Sequence, residues 1–220
     1  MNESELKNLW QTSNDKFELS FAENRILTNE LSNMKVYHFI SSMKPIKIFT
    51  LLAGIIWVSL GAIIISNIFL HAYSEANKFF LYSAAIQILL TAIALIIYIF
   101  QLITIYRVDI TEPVLRTQEK LAALKTSTLI SARILFLQLP VWTTFYLNEN
   151  MLENGSPVLL IIQGIVTLSF TIAAVWLFLN IRFENRDKKW FRLIFNGKEW
   201  TPLMRSMELL KLTEDYKLGK

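Results

Sequence analysis

Phe79–Ile103 reads FFLYSAAIQILLTAIALIIYIFQLI, and no charged side chain occurs from Phe79 as far as Tyr106. A helix at the surface of a soluble protein keeps one polar face for water, so this uniformity is foreign to it. A helix crossing roughly 30 Å of hydrocarbon at about 1.5 Å per residue needs such a run over roughly 20 residues. Three further stretches have the length. Ile46–Leu70 reads IKIFTLLAGIIWVSLGAIIISNIFL and Pro157–Ile181 reads PVLLIIQGIVTLSFTIAAVWLFLNI. Leu129–Asn148 is the least apolar, because it holds Arg133, Gln138 and Pro140. The composition agrees: 53% of residues are hydrophobic and 18% charged, against about 25% charged in ordinary globular proteins.

Arg133 stands about one turn inside the expected boundary, where its long stem carries the charge back to the headgroups. Pro140 frees one backbone carbonyl, a defect that neighbouring helices repair. Parity favours this segment as a span. Without it the tail from Arg182 onward, with ten lysines and arginines, would lie outside. The segment before Pro45 holds five, followed by Lys47, and the connection Thr104–Thr128 holds Arg107, Arg116, Lys120 and Lys125. By contrast His71–Lys78 holds only Lys78, and Glu149–Ser156 holds Glu149 and Glu153 with no cation. Since lysine and arginine favour the cytoplasmic side, both chain ends are expected inside, with two short hairpins outside. The fold class is therefore an all-α integral membrane protein with four transmembrane helices and cytoplasmic amphipathic helices. Residues 1–45 form a helical N-terminal segment, 46–181 the transmembrane domain with spans at about 46–70, 79–103, 129–148 and 157–181, and 182–220 a basic cytoplasmic tail. The first 45 residues are polar and mixed in charge, so no cleavable leader is expected.

The flanking segments carry helix signals of their own. Asn2-Glu3-Ser4-Glu5 resembles a helix start, with Leu6, Leu9 and Trp10 then sharing a face. Phe17, Leu19 and Phe21 alternate with polar residues, which suits an extended connector. A second helix follows from about Phe21 to Met43, with Leu27, Leu31, Met34 and His38 on one stripe. In the central connection Thr111-Glu112-Pro113 starts a helix whose stripe is Val114, Leu121, Leu124 and Thr128. Asn196-Gly197 reads as a hairpin turn or as a helix stop, and Thr201-Pro202 opens a last helix with Leu203, Met207 and Leu210 on one side.

Arg186, Lys188, Lys189, Trp190 and Arg192 mix cations with an aromatic beside a span, which suits a membrane surface rather than nucleic acid. Gly54, Gly61 and Gln138 are candidates for helix–helix packing, within the chain or in an oligomer. Gln87, Gln101, Arg133, Gln138 and Gln163 are the polar residues inside the spans, and a structural role in bonding helices together is expected of the glutamines. The chain has no cysteine, two histidines, His38 and His71, without ligand spacing, and no phosphate-binding glycine loop. Neither an enzyme, a metal site nor a cofactor is expected.

Glu5-Leu6-Lys7-Asn8-Leu9-Trp10-Gln11 ahead of the first span, and Pro113-Val114-Leu115-Arg116-Thr117-Gln118-Glu119-Lys120-Leu121 leading to Pro140-Val141-Trp142, resemble small bacterial inner-membrane proteins. Such proteins are common in the Bacteroidetes and often encoded beside sigma factors of the extracytoplasmic-function type. The resemblance implies residence in the bacterial inner membrane and non-enzymatic regulation of anti-sigma type, by binding a cytoplasmic sigma-factor-like protein. Without cysteine the chain departs from the zinc-containing anti-sigma pattern, so binding would use apolar helix faces such as that of Leu6, Leu9 and Trp10. A structural or accessory subunit of a membrane complex is the alternative. A small transporter ranks last, because no charged group sits at mid-membrane depth.

Overall fold

A computed structural model describes residues 3–109, 114–195, 197 and 200–217, and all regular structure among them is helical. Helix α1 covers Glu3–Ser41, α2 Lys44–His71, α3 Lys78–Tyr106 and α4 Val114–Phe136. Two short helices follow, α5 at Leu139–Thr144 and α6 at Glu149–Asn154, before α7 at Pro157–Asn180. A 3-10 turn at Phe183–Asn185 leads to α8 at Lys189–Phe195 and α9 at Trp200–Lys217.

Three helices, α2, α3 and α7, are long and apolar enough to cross a bilayer, and the first apolar stretch reaches back to Met34 in α1. Their starts follow local chemistry. Pro45 occupies the first turn of α2 and Pro157 that of α7, where a missing N–H costs nothing. Asn77 caps α3 by accepting from the backbone N–H of Phe79 at 3.0 Å. The burial pattern is inverted relative to a water-soluble bundle. Ser83, Gln87, Gln101, Thr104, Gln138 and Thr143 lie inside, while Phe49, Leu52, Ile56, Trp57, Ile161 and Ile165 face outward. Each large apolar side chain left in water forgoes about 1.5–3 kcal/mol, so the outward face is matched to hydrocarbon.

The helices run antiparallel in sequence order. Gly54 and Gly61 of α2 face Leu95 and Ile88 of α3. Along α3 in the other direction, Ser83 meets Thr144 at 2.9 Å, Thr91 meets Gln138 at 2.9 Å, and the Arg107 carbonyl accepts from Lys120. Thus α4 and α5 together follow α3 from end to end. Against α7, Thr143 meets Thr167 at 3.0 Å and Arg133 reaches the Ile181 carbonyl at 2.6 Å.

The stretch expected as a single span at Leu129–Asn148 is two helical pieces. Pro140 lacks the N–H that would bond to Phe136, and its ring clashes with that carbonyl. The backbone tightens instead, with Leu137 N–H bonding Ile134 O and Gln138 N–H bonding Leu135 O, both at 3.2 Å. Trp142 N–H then resumes the helix on Gln138 O.

At the basic end, the segments before and after the spans share one core with the span ends. Val36 and Ile40 of α1 and Met43, which precedes α2, pack with Ile105, Val108, Leu121, Leu124, Ile181, Phe191, Phe195, Trp200 and Leu203. The aromatic members interlock: the Phe191 ring stacks on Phe195 at 4.4 Å, and Trp200 sits 5.0 Å from Phe195.

Two expectations need correction here. The N-terminal segment is one helix through Phe17, Leu19 and Phe21, with no extended connector. Nothing from Glu3 to Ser41 is proline or glycine, so no residue there forces the chain out of helical geometry. Second, Leu27, Leu31, Met34 and His38 are exposed, and the buried stripe is Val36, Ile40 and Met43. Both stripes have helical spacing, and α9 packs along α1 and selects one of them. Of the two readings of Asn196-Gly197, the helix stop is the one that fits, since Gly197 stands between α8 and α9. On α4 the expected stripe is buried at Leu121, Leu124 and Thr128, whereas 111–113 and the side chain of Val114 lie outside the described residues. On α9, Leu203 is buried and Met207 partly so, and the Leu210 side chain also lies outside them.

Candidate functional site

Two features of the bundle bear on function: a polar interior along α3, and the helical cap at the basic end with α1 projecting from it. The interior begins at Lys47, in the first turn of α2. Its side chain is 1% exposed, its ammonium donates to Gln101 Oε1 at 2.6 Å, and it lies 4.4 Å from the Tyr98 ring centroid. Antiparallel pairing of α2 with α3 brings these groups to one depth. Gln101 Nε2 has no hydrogen-bond partner, so the amide is oriented for the lysine at the expense of its own donor. Other cations at this end rest on rings as well. Lys44 lies 4.6 Å from the Tyr106 ring centroid, while Lys125 and Arg186 lie 3.9 and 4.5 Å from that of Phe183. A ring quadrupole compensates part of the hydration these cations lose.

Farther along, the polar residues form a chain of contacts around the α4–α5 break. Gln138 Nε2 donates to Thr91, and Thr91 donates in turn to the Gln87 carbonyl at 2.8 Å. Gln163 Nε2 reaches the Thr143 carbonyl at 2.5 Å, and Gln163 Oε1 accepts from Tyr146 at 2.9 Å. These are neutral groups bonded to one another or to backbone. The arrangement holds helices in register, at about 1 kcal/mol for each interhelical bond.

Among the residues singled out from sequence, Gly54 and Gly61 meet α3 of the same chain. A methyl group on Gly61 would come within 2.9 Å of Ile88 Cδ1, and Gly54 is closed off by the Leu95 side chain. Gln138 is buried at the α3 contact just described. Leu6 and Leu9 belong to α1, but their side chains lie outside the described residues, while Trp10 is 70% exposed. Arg186, Lys188, Lys189 and Arg192 are exposed; Trp190 is half-buried, packed edge-on to Trp176 at 4.9 Å. His38 is exposed, and His71 lies beside the Asn67 carbonyl at 3.2 Å. Glu149 and Glu153 face solvent on α6. No group of three or more histidine, aspartate or glutamate side chains that could hold a metal occurs among the described residues.

Sequence reading gave Lys47 only a place in the tally of basic residues. The signal for more was present: a cation inside the apolar run, one turn from its start, with Gln101 at the matching depth of the next span. The threonines that pair with Gln138 and Gln163 had no such signal, because their partners depend on the bend at Pro140. No family model, no curated protein and no solved structure matches this chain.

Proposed function

We propose that this chain is a non-enzymatic interaction protein of the bacterial inner membrane, crossing it four times with both ends in the cytoplasm. It presents α1 to a cytoplasmic protein partner of the sigma-factor type. The fourth crossing is α4 with α5. Its support is that these two helices accompany α3 along its whole length, from the contact at Arg107 to that at Ser83. The orientation rests on the cations gathered at the α1, α8 and α9 end.

The observation that carries the proposal is the exposed side of α1. This helix has 39 residues, about 58 Å at 1.5 Å per residue. Its last turns are fixed in the cap core, yet the side chains of Trp10, Leu19, Leu27, Leu31 and Met34 are exposed. Leu27, Leu31, Met34 and His38 share one face at spacings of four, three and four. A tethered helix with such a face suits docking into a partner's groove. Full-length protein in mild detergent, carrying a tag at the tail, tests the idea. Wild type is expected to recover a cytoplasmic partner that Trp10→Asp and Leu31→Asp/Met34→Asp fail to recover. Equal recovery by all three proteins refutes it.

A further inference from the structure

Of the glutamines within the apolar stretches, Gln101 bonds across to Lys47, Gln138 to Thr91 and Gln163 to the Thr143 carbonyl. Gln87 is different. Its side chain is 7% exposed, and among the described residues its amide has no hydrogen-bond partner, although its backbone carbonyl accepts from Thr91. The register explains why. Ser83, Gln87 and Thr91 follow one another at helical spacing on the side of α3 that meets α5, with Ser83 paired to Thr144 and Thr91 to Gln138. Halfway between those two partners stands Val141, whose side chain has nothing to donate or accept. Its carbonyl already accepts from the Thr144 hydroxyl at 3.1 Å.

Gln87 lines a cleft of about 290 Å3 between α2 and α3, closed at one side by Phe145 just past α5. Phe80, Ala84 and Gln87 share one face of α3 at spacings of four and three, and Trp57, Leu60 and Ile64 line the cleft from α2. Apart from Gln87 and the Trp57 indole, no side chain in the lining carries a nitrogen or oxygen. Trp57, Leu60 and Ile64 are each more than half exposed, so the cleft opens on the surface that faces hydrocarbon.

Depth narrows the occupant. Gln87 follows Phe79, the first residue of the apolar stretch, by eight residues, about 12 Å along the axis, and half the hydrocarbon thickness is about 15 Å. The ester carbonyls and headgroup of a phospholipid stay at the boundary, so its acyl chain would fill the cleft and leave the amide unpaired in hydrocarbon, which is costly. A helix of a second copy, about 10 Å across, is too wide for a space at the lower end of small-molecule sites.

We propose that this cleft binds the ring of a lipid-soluble quinone, with Gln87 as the residue that hydrogen-bonds it. Gln87 Nε2 donates to a ring carbonyl, and Oε1 can accept from a hydroxyl of the reduced form. Trp57, Phe80 and Phe145 supply aromatic surface for a flat ring, and the tail leaves past Leu60 and Ile64 into the acyl chains. Such a molecule is uncharged, so it reaches mid-membrane depth and carries a polar atom there. The proposal rests on the membrane embedding argued above and is independent of any partner on α1.

The test titrates the full chain in detergent micelles with decylubiquinone, read by quenching of tryptophan fluorescence, with decylbenzene as a competitor that has the tail but no carbonyl. Wild type is expected to show saturable quenching that an equal concentration of decylbenzene does not reverse. Gln87→Leu should bind about tenfold more weakly, the loss of one hydrogen bond. Its unfolding midpoint should not fall, because the amide it removes holds nothing within the chain. Ala84→Phe fills the cleft from α3 and should abolish saturation. Equal affinity of wild type and Gln87→Leu, or displacement by decylbenzene at equal concentration, overturns the proposal. A lowered unfolding midpoint in Gln87→Leu overturns it too, since the amide would then serve the fold. So does dimerisation that Ala84→Phe abolishes, without saturable quenching in wild type, which would give the cleft to a second copy. A protein that stays soluble without detergent would instead refute the embedding itself.

Discussion

Gln101→Leu removes the acceptor from a lysine ammonium that is almost wholly buried, 2.6 Å away. A hydrogen bond to a charged group contributes about 1.5–3 kcal/mol, and deleting one partner of a buried pair in soluble proteins costs roughly 3–5 kcal/mol. Three features lower the figure here. The Tyr98 ring remains 4.4 Å from the ammonium, the lysine stem can carry its charge toward the nearby headgroups, and Gln101 Nε2 is already without a partner. The expected loss is about 2 kcal/mol, or a drop in Tm of roughly 4–8 °C for a chain of this size. Lys47→Met/Gln101→Leu replaces both polar groups by apolar ones of similar length and should return to within about 1 kcal/mol of wild type. The cycle of wild type, two single variants and the double variant, followed by tryptophan fluorescence during unfolding in mixed micelles, isolates the coupling. A neutral Gln101→Leu, or a double variant as unstable as the sum of its singles, refutes the assignment of this contact as a coupled pair.

Gly61→Leu forces α2 away from Ile88 and should destabilise by about 1–3 kcal/mol, read by the same unfolding assay; an unchanged midpoint would mean that the two helices separate without penalty. Trp200→Ala empties the aromatic cluster at the joint of α8 and α9 and should cost about 3–5 kcal/mol, with faster proteolysis of α9 as a second readout. Reporter fusions should place Lys220 in the cytoplasm and an insertion after Ala76 outside, and an exported tail would reverse the orientation proposed above.

Three of the four expected spans were legible as long apolar helices because the bilayer imposes a coarse rule, and Phe79–Ile103 obeys it without any tertiary information. The start of α7 was legible for a similar reason: Asn154-Gly155-Ser156-Pro157 carries its turn and its first helical residue in four letters. The break at Leu137–Gln138 was foreshadowed by Pro140 but not located, since a proline can be absorbed or can split a helix according to what packs beside it. Face selection on α1 was not legible at all. The stripes at Leu27–His38 and Val36–Met43 have the same period, and α9, far along the chain, decides between them. For the candidate sites the same division holds. The exposed cations Lys188, Lys189 and Arg192 could be picked out from composition and position, whereas the contact of Lys47 with Gln101 requires knowing which helix faces which.

Val36, Ile40 and Met43 stand at the head of the first apolar stretch, yet Phe191, Trp200 and Leu203, which share their core, follow α7. At translation speeds of about 5–20 residues per second, the ribosome needs roughly 10–30 s to pass from one group to the other. During that interval the base of α1 lacks this part of its cover and stays open to chaperones or proteases. Arrival of α9 completes it, so concealment of this patch reports that the chain has been made past Leu203 and that α8 and α9 have docked.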